Sequence, residues 1–184
     1  FKAYCFRLYT KKECSMNHKK TKKMVYLALL SAIAIVLHTV EAAIPVPLPV
    51  GAKLGLANII SLVIIHLYGI KEMFIVNIFR VLVSSLLTGI FMQNPFFISC
   101  GGVFLSSLAL AIIYKFVKLP MVSTSIVSAI FHNIGQVAVV AFIFSFAGIM
   151  VYVLPLLITS IPTGILTGLV AIEILKRVKK EQFQ

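Results

Sequence analysis

Six apolar stretches occupy nearly the whole chain, near residues 24–40, 54–68, 71–88, 95–117, 123–146 and 149–175. Apolar runs of about 18 or more residues are the signature of membrane-spanning helices. The chain has 184 residues, 60% of them hydrophobic, and a mean hydropathy of +1.06. That is more apolar surface than a soluble core of this size can hide. The pattern predicts an all-α membrane protein with six transmembrane helices in a single domain over 24–178, flanked by basic tails at 1–23 and 179–184. The second stretch is short. The last is long and carries Pro155 and Pro162, so a tilt or kink is expected there.

The formal net charge is +12, but its placement speaks against nucleic acid as a partner. Eight of the 17 Lys and Arg lie in the first 23 residues, and Lys176, Arg177, Lys179 and Lys180 close the chain. Such juxtamembrane clusters orient helices and meet anionic lipid headgroups. With the N-terminus inside, fifteen of the 17 fall on the inner side. Both termini are therefore expected in the cytoplasm of a bacterial cell, with the chain multi-pass in its membrane. Residues 1–15 are polar and aperiodic, and Met16 resembles a natural start, so the leading segment reads as an extension without a role. A secretory signal over 19–42 is the weaker alternative.

Arg80 stands inside an otherwise lipid-soluble run, Phe74-Ile75-Val76-Asn77-Ile78-Phe79-Arg80-Val81. A cation at bilayer depth costs about 2.5–3.5 kcal/mol on insertion scales, so it faces the bundle interior and meets an anion or a dipole there. Asn77, Arg80 and Ser84 share one helix face, at i, i+3 and i+7. The fifth stretch carries His132, Asn133 and Gln136, the second begins Lys53-Leu54-Gly55-Leu56-Ala57-Asn58, and the fourth holds Ser99, Gly101, Gly102 and Ser106. Counted from the span ends at 1.5 Å per residue, Arg80 and His132 each lie about 13 Å deep. These groups predict an outward-facing cavity, cationic and amide-rich, for a small anionic or strongly hydrogen-bonding ligand. Lys53 and Arg80 would supply charge, and Asn58, Asn77, Ser99, His132, Asn133 and Gln136 directional bonds. The alternative is that such groups only join helices, which is the reading preferred for Ser84, Ser106 and Asn77. His38 and His66 read as interfacial or structural, and Gly164 and Gly168 as packing positions. The segment with Pro45, Pro47 and Pro49 forbids helix and favours a stiff, extended strip, either across the outer mouth or as a plain linker.

Several functions are excluded by what is missing. The chain has no aspartate, so no aspartate-rich diphosphate–magnesium motif exists. No Gly-x-x-x-x-Gly-Lys-[Ser/Thr] loop is present for ATP hydrolysis. The three cysteines, Cys5, Cys14 and Cys100, lack metal-ligand spacing, and no cofactor is implied. The chain therefore reads as non-catalytic.

Four motifs, Gly51-Ala52-Lys53-Leu54-Gly55-Leu56-Ala57-Asn58, Arg80 with Ser84-Ser85-Leu86-Leu87-Thr88-Gly89, Ser99-Cys100-Gly101-Gly102 and His132-Asn133-Ile134-Gly135-Gln136, occur in an order that resembles the Gx transporter family, long labelled heptaprenyl diphosphate synthase component I. Cys100 departs from the small apolar residue expected there. The family looks related to the substrate-binding S-components of energy-coupling-factor vitamin transporters. That resemblance implies an S-component-like bundle with an outward pocket for a vitamin-like solute. It also implies a small-residue motif on the first helix, matched by Ala28 and Ala32, that docks on a transmembrane coupling subunit joined to ATPases. The label itself implies a second reading, a non-catalytic partner of a soluble prenyl diphosphate synthase in menaquinone side-chain synthesis. Relatives associated with flavin- and quinone-linked electron transfer give a third, an accessory membrane protein.

Overall fold

A computed structural model describes the backbone over residues 2–43, 55–117, 119–144 and 150–182, and side chains over 20–41, 55–117, 119–143 and 153–178. Six helices follow one another: α1 (Lys2–Ala43), α2 (Asn58–Leu67), α3 (Ile70–Leu87), α4 (Asn94–Ile112), α5 (Met121–Phe144) and α6 (Met150–Gln182), with a π-helical turn, Ile113–Val117, continuing α4. No strand occurs among the described residues. The proline strip with Pro45, Pro47 and Pro49, the outer loop at 146–149, Lys53 and Lys118 lie outside the described residues.

Four helical segments are long and apolar enough to cross a membrane: Lys20–Glu41, Asn94–Val117, Met121–Ile143 and Val153–Val178. The protein is thus membrane-embedded. The other two helices differ from the sequence expectation in instructive ways. Helix α2 has only 10 residues, about 15 Å of rise against a hydrocarbon core of about 30 Å. Helix α3 has 18 residues but carries Lys71, Glu72 and Arg80. At the N-terminus the polar lead is not separate from the first span, because α1 runs unbroken from Lys2. Its lysines and arginine are good helix formers, and neither Gly nor Pro interrupts them.

The bundle buries many polar groups beside its apolar core and is apolar outside. Its surface carries Ile75, Ile78, Phe79, Phe104, Leu154 and Phe142, while Arg80, Asn58, Asn77, His132, Gln136 and a dozen Ser and Thr are buried. Water would reverse that arrangement; hydrocarbon as solvent favours it.

Helix α2 is the hub. Residues Asn58 to Ile65 are all buried, and α2 touches each of the other five helices. Its apolar half, Ile59 to Ile65, anchors the main core, together with Ala34 of α1, Met73 and Val76 of α3, Leu110 of α4 and Ala171 of α6. The chain reverses from α2 into α3 in two residues. The N–H groups of Tyr68 and Gly69 both donate to the Ile64 carbonyl, at 2.8 and 3.2 Å, and Gly69 takes φ 103°, a conformation glycine adopts without strain.

Helix directions alternate. Lys23 of α1 pairs with Glu72 of α3, so α1 and α3 run parallel, with α2 returning between them. Ser61 of α2 donates to Asn77 of α3 (2.6 Å), which donates to Ser107 of α4 (2.7 Å). Ser125 of α5 bonds Thr167 of α6 at 2.8 Å. Interhelical bonds of this kind contribute about 0.6 kcal/mol each in a bilayer, too little to hold the bundle alone. Close packing supplies the rest. A Cβ on Gly135 would lie 2.4 Å from the Gly101 carbonyl oxygen, one on Gly164 2.7 Å from the Ile126 Cα, and one on Gly168 2.9 Å from the Val122 Cα. The small-residue reading of Gly164 and Gly168 therefore holds, and Gly101, Gly102 and Gly135 do the same work between α4 and α5.

Replacing Gly135 by Ala should lower stability by about 1–3 kcal/mol, because rigid backbone, not a mobile side chain, stands in the way. Thermal unfolding in detergent measures this; an unchanged midpoint would show that α4 and α5 are farther apart.

Candidate functional site

Arg80 lies seven residues before the end of α3 and is 1% exposed. Its Nη1 donates to the carbonyl of Ala57 at 2.5 Å, the residue that precedes α2. The charge of Glu41, near the end of α1, acts on the guanidinium, and the same carboxylate accepts the N–H of Gly55. Three chain segments are thus joined: the end of α1, the start of α2 and the middle of α3. The expected cationic character is correspondingly reduced, since Arg80 has an acidic residue acting on it and Lys53 lies outside the described residues.

Asn58 opens α2 beside this junction. Its backbone N–H donates to Gly55 at 2.9 Å, and its side-chain Nδ2 is buried without an acceptor. The Nε of Arg80 is in the same condition. Both point to donors held ready in a place where a missing bond costs about 1–3 kcal/mol.

On α5 the expected trio divides. His132 and Gln136 face α4, where a Cβ on Gly102 would fall 2.9 Å from His132 Cε1 and 2.7 Å from Gln136 Cγ. Only glycine leaves room for them. The Gln136 Nε2 is a third buried donor without an acceptor. Asn133 is turned about 100° away by the helix and donates to the Leu156 carbonyl of α6 at 3.0 Å, so its amide joins helices. Asn77 is likewise engaged on both amide atoms, by Ser61 and Ser107. Ser99 donates to the Pro95 carbonyl at 2.9 Å. Ser84 and Ser106, expected to bond across helices, instead return their hydroxyls to Val81 and Val103 of their own helices; a serine reaches the i−3 carbonyl without any neighbour's help.

The two groups share a depth. Asn77 is tied to Ser107, and Gly102 stands against His132 and Gln136. Counting along α3 to Arg80 and along α4 to Gly102 puts the two within about one helical turn of the same level. Two residues escaped the sequence reading. One is Glu41, whose carboxylate accepts the N–H of Gly55. Ser128 is fully buried, its Oγ without an acceptor; it stands four residues before His132 and eight before Gln136, a spacing that was available as a signal. His66 lies apart from this region, its Nδ1 bonded to the Leu62 carbonyl at 2.9 Å. Ala28 and Ala32 lie exposed on α1, among Leu29 and Ile33. No cluster of metal-ligating side chains occurs among the described residues.

Arg80→Met should destabilise the fold by about 1–3 kcal/mol, since it removes the bond that satisfies the Ala57 carbonyl in the interior. Adding Glu41→Gln should recover part of the loss. Additive effects in this double-mutant cycle would show that the two charges do not interact.

No curated protein and no solved structure matches the chain. A family profile described as heptaprenyl diphosphate synthase component I matches residues 30–174, which takes in Arg80, Asn58, His132 and Gln136 and most of the bundle. The chain therefore belongs to the heptaprenyl diphosphate synthase component I family.

Proposed function

We propose that the protein is a substrate-capture subunit of the bacterial cytoplasmic membrane, binding a small, acceptor-rich, vitamin-like solute from outside the cell. The observation that carries this reading is the kind of atom left over. Asn58 Nδ2, Arg80 Nε and Gln136 Nε2 are all buried N–H donors without an acceptor. These three donors, beside a buried Ser128 hydroxyl that can donate or accept, fit a ligand bearing carboxylate, phosphate or carbonyl oxygens. In this reading six helices form the membrane domain, both termini are cytoplasmic, and Lys53 adds charge at the mouth. His132 and Ser99 shape the wall, while Asn133 and Asn77 hold the helices around it.

The chain has no ATP-hydrolysing loop, so a capture subunit needs an external energy source. The likeness to energy-coupling-factor S-components supplies a partner class, a transmembrane coupling subunit with ATPases. The exposed alanines Ala28 and Ala32 on α1 offer the close approach such docking needs. A second reading is favoured by the family's description: a non-catalytic membrane component of heptaprenyl diphosphate synthase. Without aspartate the diphosphate chemistry would fall to a soluble partner. Co-purification with an aspartate-rich synthase, and restoration of its activity, would favour that reading over capture.

The test is a panel of small carboxylates, phosphate esters and heterocyclic carbonyl compounds, scored by thermal shift of the purified protein. At least one is expected to stabilise the wild type, with affinity weakened about tenfold, the worth of one lost hydrogen bond, in Gln136→Leu and in Asn58→Leu. Equal affinity in both variants would remove the capture reading.

A further inference from the structure

A cavity lies at the far end of the buried hub from Arg80. Its volume is about 340 Å³, and it is lined by Ile65, His66, Leu110, Tyr114, Leu119 and Thr124. His66 stands nine residues along α2 from Ala57, the Arg80 contact, or about 13 Å. The two places therefore do not overlap.

The walls are built in an unusual way. Tyr114 sits in the π-helical turn Ile113–Val117, where an extra residue per turn re-aims the side chains. Single π turns within α-helices recur at functional sites, and irregular backbone at membrane depth is tolerated where it borders a cavity. The turn sets the Tyr114 ring edge-on to the His66 ring, with centroids 5.6 Å apart and planes at 80°.

The hydrogen-bonding character of the cavity follows from bonds already made. The Nδ1 of His66 meets the Leu62 carbonyl at 2.9 Å. A carbonyl only accepts, so Nδ1 carries the proton, and the neutral ring is left with Nε2 as its acceptor. Thr124 Oγ1 donates its one hydrogen to the Pro120 and Leu119 carbonyls, at 3.1 and 3.4 Å, and keeps only lone pairs. Two of the three polar groups are therefore fixed acceptors, while Tyr114 can play either part. Ile65, Leu110 and Leu119 make the rest apolar, and among the described residues no charged side chain lines the cavity. This is the reverse of the Arg80 region, which strands donors.

We infer that this cavity is a second binding site, for an uncharged and largely apolar ring molecule that donates a hydroxyl hydrogen to His66 Nε2. A charged ligand would find no counter-ion among the described lining residues and would lose its hydration. A purely apolar one would leave the imidazole nitrogen unanswered.

The probe pair is 1-naphthol and 1-methoxynaphthalene, which differ in the donor and little in the ring. Saturable binding is measured on the protein in phosphatidylcholine nanodiscs against empty discs. The expected result is saturable 1-naphthol binding, with 1-methoxynaphthalene weaker by about tenfold, as for one lost hydrogen bond. His66→Phe should remove the preference between the two probes. Because that variant also alters the Tyr114 contact, a second measurement uses the wild-type protein: the ¹⁵N resonance of His66 Nε2 should move toward its hydrogen-bonded position as 1-naphthol saturates. Equal binding of the two probes, as for a lipid tail or simple partition, would overturn the proposal. So would a preference that survives in His66→Phe, or an Nε2 resonance that stays in place.

Discussion

A guanidinium in the middle of a membrane bundle must be answered by the protein, and the way Arg80 is answered organises this one. Its first acceptor is a main-chain carbonyl, Ala57, at the point where the chain turns into α2. The acid that acts on it, Glu41, also holds the N–H of Gly55. The start of α2 is thereby fixed between α1 and α3. Because α2 is buried along its first eight residues and touches every other helix, fixing its start places the centre of the bundle. Hydroxyl and amide ties elsewhere are worth a fraction of a kcal/mol each; a buried charged group deprived of its hydrogen-bond partner costs more. The charged junction outweighs them.

Around that junction, hydrocarbon as solvent explains the rest. Large apolar side chains coat the outside, and polar ones are driven inward, where each needs a partner. Most find one: Asn77 between two serines, Asn133 on a carbonyl of α6, Ser125 on Thr167. Glycines on α4, α5 and α6 let backbones come together. Against this background of satisfied groups, the donors on Asn58, Arg80 and Gln136 stand out. Most of the surplus consists of N–H donors, and that bias, rather than polarity as such, is what points to a guest.

Much of this was legible in the residues because it depends on local spacing. Apolar runs located the helices, and the i, i+3 and i, i+4 relations put Arg80 with Asn77 and His132 with Gln136. What was not legible depends on neighbours distant in sequence. Asn133 stands next to His132 in the chain, yet its partner is on α6, and only the register of α5 against α6 decides that. Glu41 becomes a partner of Arg80 only because the chain returns beside it after a proline-rich segment. Ser84 and Ser106 looked like bridges, but a hydroxyl satisfied by its own helix leaves no trace in composition. The short length of α2 was visible, whereas its burial on all sides was not. The π turn after α4, with the placement of Tyr114 against His66, has no counterpart in periodicity.

The central claim is that the stranded donors answer to a small molecule with several acceptor oxygens. Native mass spectrometry of the protein, extracted gently from its own membrane, reads this directly. The account predicts a retained, stoichiometric, acceptor-rich compound that is lost from Gln136→Leu while the variant stays folded. A wild-type protein that carries nothing but lipid, and whose mass is unchanged by every solute that raises its unfolding temperature, would contradict it.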